Sequence, residues 1–528
     1  MPKFDVIARV LGGVSGAAIL AVSTLVATLI AMFGGFVFFV DSVELVNYAA
    51  RLAHFGIGSY YYTIGYPLLI MLSGFVWTGS IVPVLVIQTV FAALMPWLAF
   101  KTFGPFDWRA GLASGIVCLA SLTPFYFQNT FFHDETSLFF GFLSIVFASH
   151  FFHFRRERYI YLSSASAIFA YLAQPAVIGF FAACWGAFLL LSFYERRHFK
   201  HVLVALGIFA VTISGLKAFE KLSMRRDHLV SQPSQLGRQI FFNEYILGSP
   251  STKFDGVAAD RLRTALVRFF ANPPPGLHQY VIGKIGTKKE IYQRLFGRYE
   301  SQPIQLVNEM FAAPNPDYFN VMWNLPDLSG QITDRMFLSA SLAFIYSHPL
   351  AVAGYVWGNL IDFTVGPPWE CRGDAVYPAC RAEVGAIFYP ALSDAVTLTR
   401  GQVPDHAFRF LTTRRASNGW LMQSSVGLWQ WVYYDFRLVL LGAMVLGLAA
   451  SFWMPSGLRW ALGTVVAAYV LVALSYSFLV EPVLRYQVLV ISICAFAAGA
   501  GGYIMLHEFT RAIAAVARSM MGRSNSSR

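Results

Sequence analysis

Apolar runs long enough to cross a bilayer recur along this chain, and they restrict its fold more than any other feature. A helix needs about 20 residues to cross roughly 30 Å of hydrocarbon. Runs such as VLVALGIFAV, from Val202 to Val211, are apolar on every face. A membrane β-barrel would instead show segments of about 10 residues alternating between apolar and polar, so the runs exclude it. Composition agrees, with 56% of residues in the apolar set and 13% charged, against about 25% charged in soluble domains. The chain reads as an α-helical polytopic membrane protein.

The net charge of +11 could signal nucleic acid, but its distribution follows membrane topology. Lys3, Arg9, Lys101, Arg109, Arg155, Arg156, Arg158, Arg196, Arg197, Lys200, Arg459, Arg511, Arg518, Arg523 and Arg528 flank one set of helix ends. The short turns between the opposite ends hold only Arg51 and Arg485. The positive-inside rule then places both termini in the cytoplasm and makes the basic tail after Glu508 an anchor, with no nucleic-acid partner. The first apolar run, from Leu11 to Val40, is too long for the h-region of a cleaved signal peptide and reads as the first span.

About ten spans satisfy the charges. After the first come Val82 to Phe100, Arg109 to Phe127 and Ser137 to Phe154. The stretch from Tyr159 to Tyr194 is too long for one crossing and carries Gln174-Pro175 at its middle, so it reads as a hairpin of spans five and six. Span seven runs from His201 to Phe219, and spans eight to ten from Leu438 to Trp453, Trp460 to Leu479 and Val483 to Met505. Residues 1–219 thus form a bundle of seven spans, 220–437 an external mixed domain rich in polar residues and turns, and 438–528 the last three spans and the tail. Within the external domain, the segments from Phe337 and from Gly354 are aromatic and amphipathic and suit the membrane interface. Cys118, Cys184 and Cys494 fall in spans, whereas Cys371 and Cys380 fall outside, with Gly373 and Pro378 between them, and read as a disulfide.

Three external loops carry the candidate chemistry. The first places Asp41 and Glu44 three residues apart on a helix that also presents Tyr48, Arg51 and His54. A carboxylate at the mouth of a membrane cavity suits a general base that activates a hydroxyl, while acids at a helix N-terminus also suit its dipole. The second loop gathers Asn129, His133, Asp134 and Glu135 at a span boundary, where titratable groups favour function over capping. The last holds Glu481, Arg485 and Tyr486; Arg485 could pair with Glu481, snorkel to the interface or hold a phosphate.

Taken in order, acid after the first span, the GYPLL segment (Gly65, Tyr66, Pro67), acid opening the fourth span and an Arg-Tyr pair opening the last resemble the GT-C glycosyltransferases. The similarity is to the group of protein O-mannosyltransferases, aminoarabinose transferases and envelope arabinosyl- and galacturonosyltransferases. It covers the first four spans and the last two; residues 220–437 show no such likeness, apart from the amphipathic segment from Ser347.

The resemblance implies a GT-C-like bundle at the outer face of a bacterial inner membrane. It implies a polyprenyl-phosphate-linked sugar as donor and an envelope glycan or lipid as acceptor. Asp41 would be the base, with Glu44 beside it, and Arg485, helped by Arg51 and His54, would bind the donor phosphate. Tyr48, Tyr66, His133, Asp134, Glu135, Glu481 and Tyr486 would shape the acceptor or sugar pocket. Because no Lys or Arg lies between Arg51 and Lys101, further phosphate contacts would come from residues such as Arg225, Arg226, Arg335 or Arg437. No cofactor or metal is expected, since a cation can stabilise the leaving phosphate, although the acids could coordinate a metal. Two rivals remain: a lipid or glycan transporter or flippase, which would place ionisable residues at mid-membrane, and an O-antigen ligase or polymerase.

Overall fold

A computed structural model describes residues 2–33, 40–54, 63–226, 237–241, 256–272, 302–312, 332–365, 436–454, 456–479 and 484–525. Among the described residues there are helices and turns and no strand. Among the described residues, seven helices are long and apolar enough to cross a membrane. The chain is therefore a multi-pass α-helical membrane protein, and it divides into two compact units.

The first unit comprises residues 1–215, 363–475 and 483–528. Its helices begin with α1 (Pro2–Phe33), α2 (Val40–Ala53), α3 (Gly65–Leu72), the single turn α4 (Phe75–Thr78), α5 (Val82–Phe103) and α6 (Trp108–Ala120). After them come α7 (Asp134–Phe154), α8 (Arg158–Ala173), α9 (Ile178–Glu195) and α10 (Phe199–Arg226), whose residues from 216 onward belong to the second unit. Asp107 starts α6 by accepting a hydrogen bond from the Arg109 amide at 2.8 Å, the usual service of an N-cap carboxylate. That helix stops at Ala120, short of the span expected to reach Phe127, because Leu122 turns left-handed at φ 54° and Pro124 follows. The Gln174-Pro175 break falls where the sequence places it. Gln174 is extended, as the residue before a proline tends to be, and a 3-10 turn leads into α9.

Small residues let these helices approach closely, the main packing device where lipid is as apolar as the side chains. A Cβ on Gly115 would lie 2.5 Å from Ile19 Cδ1. At the opposite end of the bundle, Arg155 pairs with Glu195 at 2.8 Å and His198 with Glu157 at 3.1 Å, joining the α7–α8 turn to the α9–α10 turn.

The second unit comprises residues 216–362 and 476–482. It contains α11 (Val257–Ala271), α12 (Pro303–Ala312), α13 (Asp334–Ser347) and most of α14 (Pro349–Thr364). Leu262, Leu266 and Phe269 recur at helical spacing on α11 and bury against Leu306 and Met310 of α12 and Phe337 and Phe344 of α13. The helical turn at 237–241 is held by Asp334, which accepts from the Gly237 and Arg238 amides at 3.1 and 2.9 Å and lies 3.7 Å from the buried Arg238 guanidinium. The segment expected to be mixed is thus helical wherever it is described. The two amphipathic segments within it are α13 and α14, bent by 103° at His348 and counting as one further span only if taken as a broken one.

The chain closes with α15 (Arg437–Ala450), α16 (Ser456–Leu479) and α17 (Leu484–Asn525), all but the end of α16 in the first unit. Of the ten expected spans, the third and eighth correspond to the shorter apolar helices Trp108–Ala120 and Arg437–Trp453, and the fifth to the 16-residue α8. A Cβ on Gly499 would strike the Ala113 carbonyl of α6, and one on Gly501 the Ala443 carbonyl of α15. Glycine is required at both crossings. The tenth span was expected to end near Met505, but the helix runs on unbroken to Asn525.

Candidate functional site

The two acidic loops meet in the first unit, at the ends of α1, α5, α7 and α8. Helix α2 is amphipathic and buries Leu45, Val46 and Ala49 against Tyr66 and Ile70 of α3 and against Phe131 and Phe132. Ser42, in its first turn, donates its hydroxyl to the Phe131 carbonyl at 2.7 Å. This bond ties the helix carrying Asp41 and Glu44 to the segment carrying His133, Asp134 and Glu135. The side chains of Asp41 and Glu44 lie outside the described residues, although the helix places both in its first two turns.

Buried amides shape the irregular segment before α7. Gln88 of α5 donates to the Thr130 carbonyl at 2.8 Å, Gln128 to the Ala27 carbonyl at 2.7 Å, and Asn129 to the Ile30 carbonyl at 2.9 Å. Side chains thereby tie the carbonyls of this segment and of the end of α1 across the bundle. Of these amides, Asn129 was evident from the acidic loop. Gln88 and Gln128 were missed, and the available signal was a lone amide within an apolar run such as VLVIQTVF.

Helix α3 is seated against the end of α8. A Cβ on Gly65 would lie 2.5 Å from the Leu172 carbonyl carbon and 2.6 Å from the Ala173 nitrogen, so only glycine permits this approach. Thr63 donates to the Ala173 carbonyl at 3.2 Å, and Ser137 to Gln174 Oε1 at 2.9 Å. The GYP segment, the Gln174-Pro175 turn and the first turn of α7 therefore form one continuous wall.

Tyr66, Asp134 and Glu135 are fully buried within it. The Tyr66 phenol is pushed well above its ordinary value, first by burial and then by the negative charges of Asp134 and Glu135. It stays a protonated donor beside two carboxyl groups. His133 lies at the N-terminus of α7, with Nδ1 3.5 Å from Asp134 Oδ1. Asp134 and Glu135 occupy the first helical turn, where the positive end of the dipole favours negative charge. Both Glu135 carboxylate oxygens are nevertheless buried with no hydrogen-bond partner among the described residues. Asp134 and Glu135 are thus removed from water and do not form a solvent-exposed cap.

Other expected site residues are placed less closely. Tyr48 is buried on α2, while Arg51 and His54 are exposed at its end. Arg485 and Tyr486 open α17, with Tyr486 half-buried; the Arg485 side chain, Glu481, Cys371 and Cys380 lie outside the described residues. Among the candidate external arginines, Arg335 is exposed on α13, whereas Arg437 is buried at the start of α15 with its guanidinium on the Val365 carbonyl. That contact within the bundle makes Arg437 a packing residue and removes it from the free cations. The side chains of Arg225 and Arg226 are not among those described. No three His, Cys, Asp or Glu side chains among the described residues form a group able to hold a metal ion.

Fold and site together define a multi-pass helical membrane protein with a buried carboxyl cluster at the ends of its helices. No protein-family model, curated protein or solved structure matches the chain.

Proposed function

We propose that the protein is an inverting glycosyltransferase of the GT-C type, moving a sugar from a polyprenyl-phosphate donor to a hydroxyl of an envelope glycan or lipid. The reaction would occur at the outer face of a bacterial inner membrane, with both termini in the cytoplasm. The observation that supports this reading is the Ser42–Phe131 hydrogen bond, which ties the helix that carries the first-loop acids to the segment that carries the second-loop acids at the candidate site. In it, Asp41 removes the proton from the acceptor hydroxyl as that oxygen attacks the anomeric carbon. The bond from that carbon to the donor phosphate breaks, and the phosphate leaves with its electron pair, stabilised by Arg485. Attack opposite the phosphate inverts the anomeric centre, by analogy with inverting glycosidases. Glu135 and Asp134, with the protonated Tyr66, line the pocket for hydroxyls of the acceptor or sugar. Many spans suit a donor whose prenyl chain stays in hydrocarbon while its sugar reaches the pocket. Ionisable groups placed at helix ends favour this reading over a transporter, whose functional charges belong at mid-membrane.

The test has two parts. Mass spectrometry of envelope lipids and glycans, with and without the gene, should reveal a missing sugar and so identify donor and acceptor. With these, purified Asp41→Asn protein should turn over at least about a hundred-fold more slowly, the scale of general-base catalysis, with donor binding retained. Near-normal transfer by Asp41→Asn would remove Asp41 from the mechanism, and an unchanged envelope together with movement of a lipid or glycan across the membrane would support a transporter instead.

A further inference from the structure

Helices α1 and α5 touch along one face and part along the next. Ser23 donates to the Ala93 carbonyl at 2.6 Å, and Ala27, Ala92 and Ala93 are buried together with Phe125. Beside this contact the two helices bound a cleft of about 480 Å³. Its walls run from Leu20 to Met32 on α1 and from Val82 to Leu94 on α5. That is about 18 Å along each helix at 1.5 Å per residue, more than half of the roughly 30 Å of hydrocarbon. Thr24, Thr28, Val86 and Val90, which line the cleft, are exposed, and both helices are long and apolar enough to span the membrane. The cleft therefore opens towards lipid.

Its lining suits hydrocarbon and not water. Thr24 donates its hydroxyl to the Leu20 carbonyl and Thr89 to the Leu85 carbonyl, each at 2.7 Å, so both spend their hydrogens on their own helices. A water molecule inside would need two to four polar partners, whereas a hydrocarbon chain needs none. Spread over the length of the cleft, the volume has about the section of a single chain, because carbon atoms in contact lie about 4 Å apart. The end towards Met32 and Val82 is also tied to the candidate site. There Gln128 donates to the Ala27 carbonyl of α1 at 2.7 Å and to the Thr89 hydroxyl at 3.3 Å, and Asn129 donates to the Ile30 carbonyl at 2.9 Å. Both amides belong to the segment that leads into His133, Asp134 and Glu135.

We propose that this cleft holds the hydrocarbon chain of the polyprenyl-phosphate donor, a proposal that rests on the prenyl-linked donor put forward above. Chain number decides for that occupant: a polyprenyl phosphate has one chain to seat, whereas a phospholipid has two and could place only half of its hydrocarbon here. Position agrees. A chain lying between α1 and α5 with its phosphate beyond Met32 and Val82 has its head group on the side of the membrane where α1 ends and the two acidic loops begin.

The test uses the full-length protein in phosphatidylcholine nanodiscs, with undecaprenyl phosphate as the probe. Thr28→Trp fills the cleft, while Leu25→Trp puts the same ring on an exposed face of α1 outside it. Thr28→Trp should weaken binding by at least about ten-fold, the equivalent of about two methylene groups of the chain left unburied. Leu25→Trp should leave binding unchanged. On the wild-type protein, which needs no variant to fold, a polyprenyl phosphate with a photoreactive group in its chain should label residues 20–32 and 82–94. Wild-type affinity in a folded Thr28→Trp protein, or labelling confined to other helices, would overturn the proposal and leave the donor reading standing. So would equal labelling of the cleft by a photoreactive phosphatidylcholine, because the occupant would then be an ordinary bilayer lipid. A wild-type protein that binds no polyprenyl phosphate would strike down the donor reading itself, and this proposal with it.

Discussion

Replacing Glu135 should move stability and function in opposite directions. Both of its carboxylate oxygens are buried and lack hydrogen-bond partners among the described residues, inside a wall made by α3, α7 and the α8–α9 turn. An unsatisfied buried polar group costs about 1–3 kcal/mol, and more when charged. Exchanging buried charge for well-packed apolar volume is often stabilising by about 1–4 kcal/mol. Glu135→Met, which keeps the length and flexibility of the side chain, should therefore stabilise the protein by about 1–3 kcal/mol. Glu135→Gln, which keeps the shape, should gain less because a buried amide still needs partners. If the carboxyl group awaits a hydroxyl of the acceptor or sugar, both variants should lose transfer activity by about ten- to a hundred-fold, the equivalent of a charge-assisted hydrogen bond of roughly 1.5–3 kcal/mol. Thermal unfolding in lipid nanodiscs and single-turnover transfer with the identified donor and acceptor measure the two effects. A destabilised Glu135→Met protein with normal turnover would refute the reasoning, since Glu135 would then be a structural group with partners of its own.

Gly65→Ala should displace the start of α3, because the added carbon meets Leu172 and Ala173 backbone atoms at 2.5–2.6 Å, about 1 Å inside the optimal separation. Overpacking of this kind costs about 1–3 kcal/mol, and a lower melting temperature together with slower transfer would show it; an unchanged protein would mean that the wall yields. Glu157 is held below the ordinary carboxylate value, first by a hydrogen bond from its own backbone amide and then by His198 and His201. A lowered folded value means that its contribution to stability is present above the unfolded value and is lost as pH falls through the folded one. Melting curves of the wild type and Glu157→Gln should therefore differ near neutrality and converge in acid, and a gap that persists at the lowest pH would contradict this. Arg485→Ala should weaken donor binding by about ten- to a hundred-fold, more than acceptor binding. Isothermal titration with the lipid donor checks this, and loss of stability with unchanged affinity would mark Arg485 as a structural anchor.

Several features were legible in the sequence because they depend on local chemistry. The apolar runs announce membrane helices wherever they occur, since no alternative backbone satisfies its hydrogen bonds in hydrocarbon. Gln174-Pro175 announces the break between α8 and α9 because proline constrains the residue before it. The acids of both loops stand out against their apolar surroundings, as does GYP. Only the tertiary structure decided how these pieces combine. Ser42 meets Phe131, and Gln128 meets Ala27, across sequence separations of 89 and 101 residues, and no local pattern encodes such pairings. Nor does composition reveal that Asp134 and Glu135 are removed from water, because burial depends on what α3 and α8 place over them. The reach of α17 was hidden for a related reason. Charges after residue 506 signal the end of a membrane span, but the backbone hydrogen bonds of a helix continue equally well in water, so the boundary of the bilayer is not the boundary of the helix.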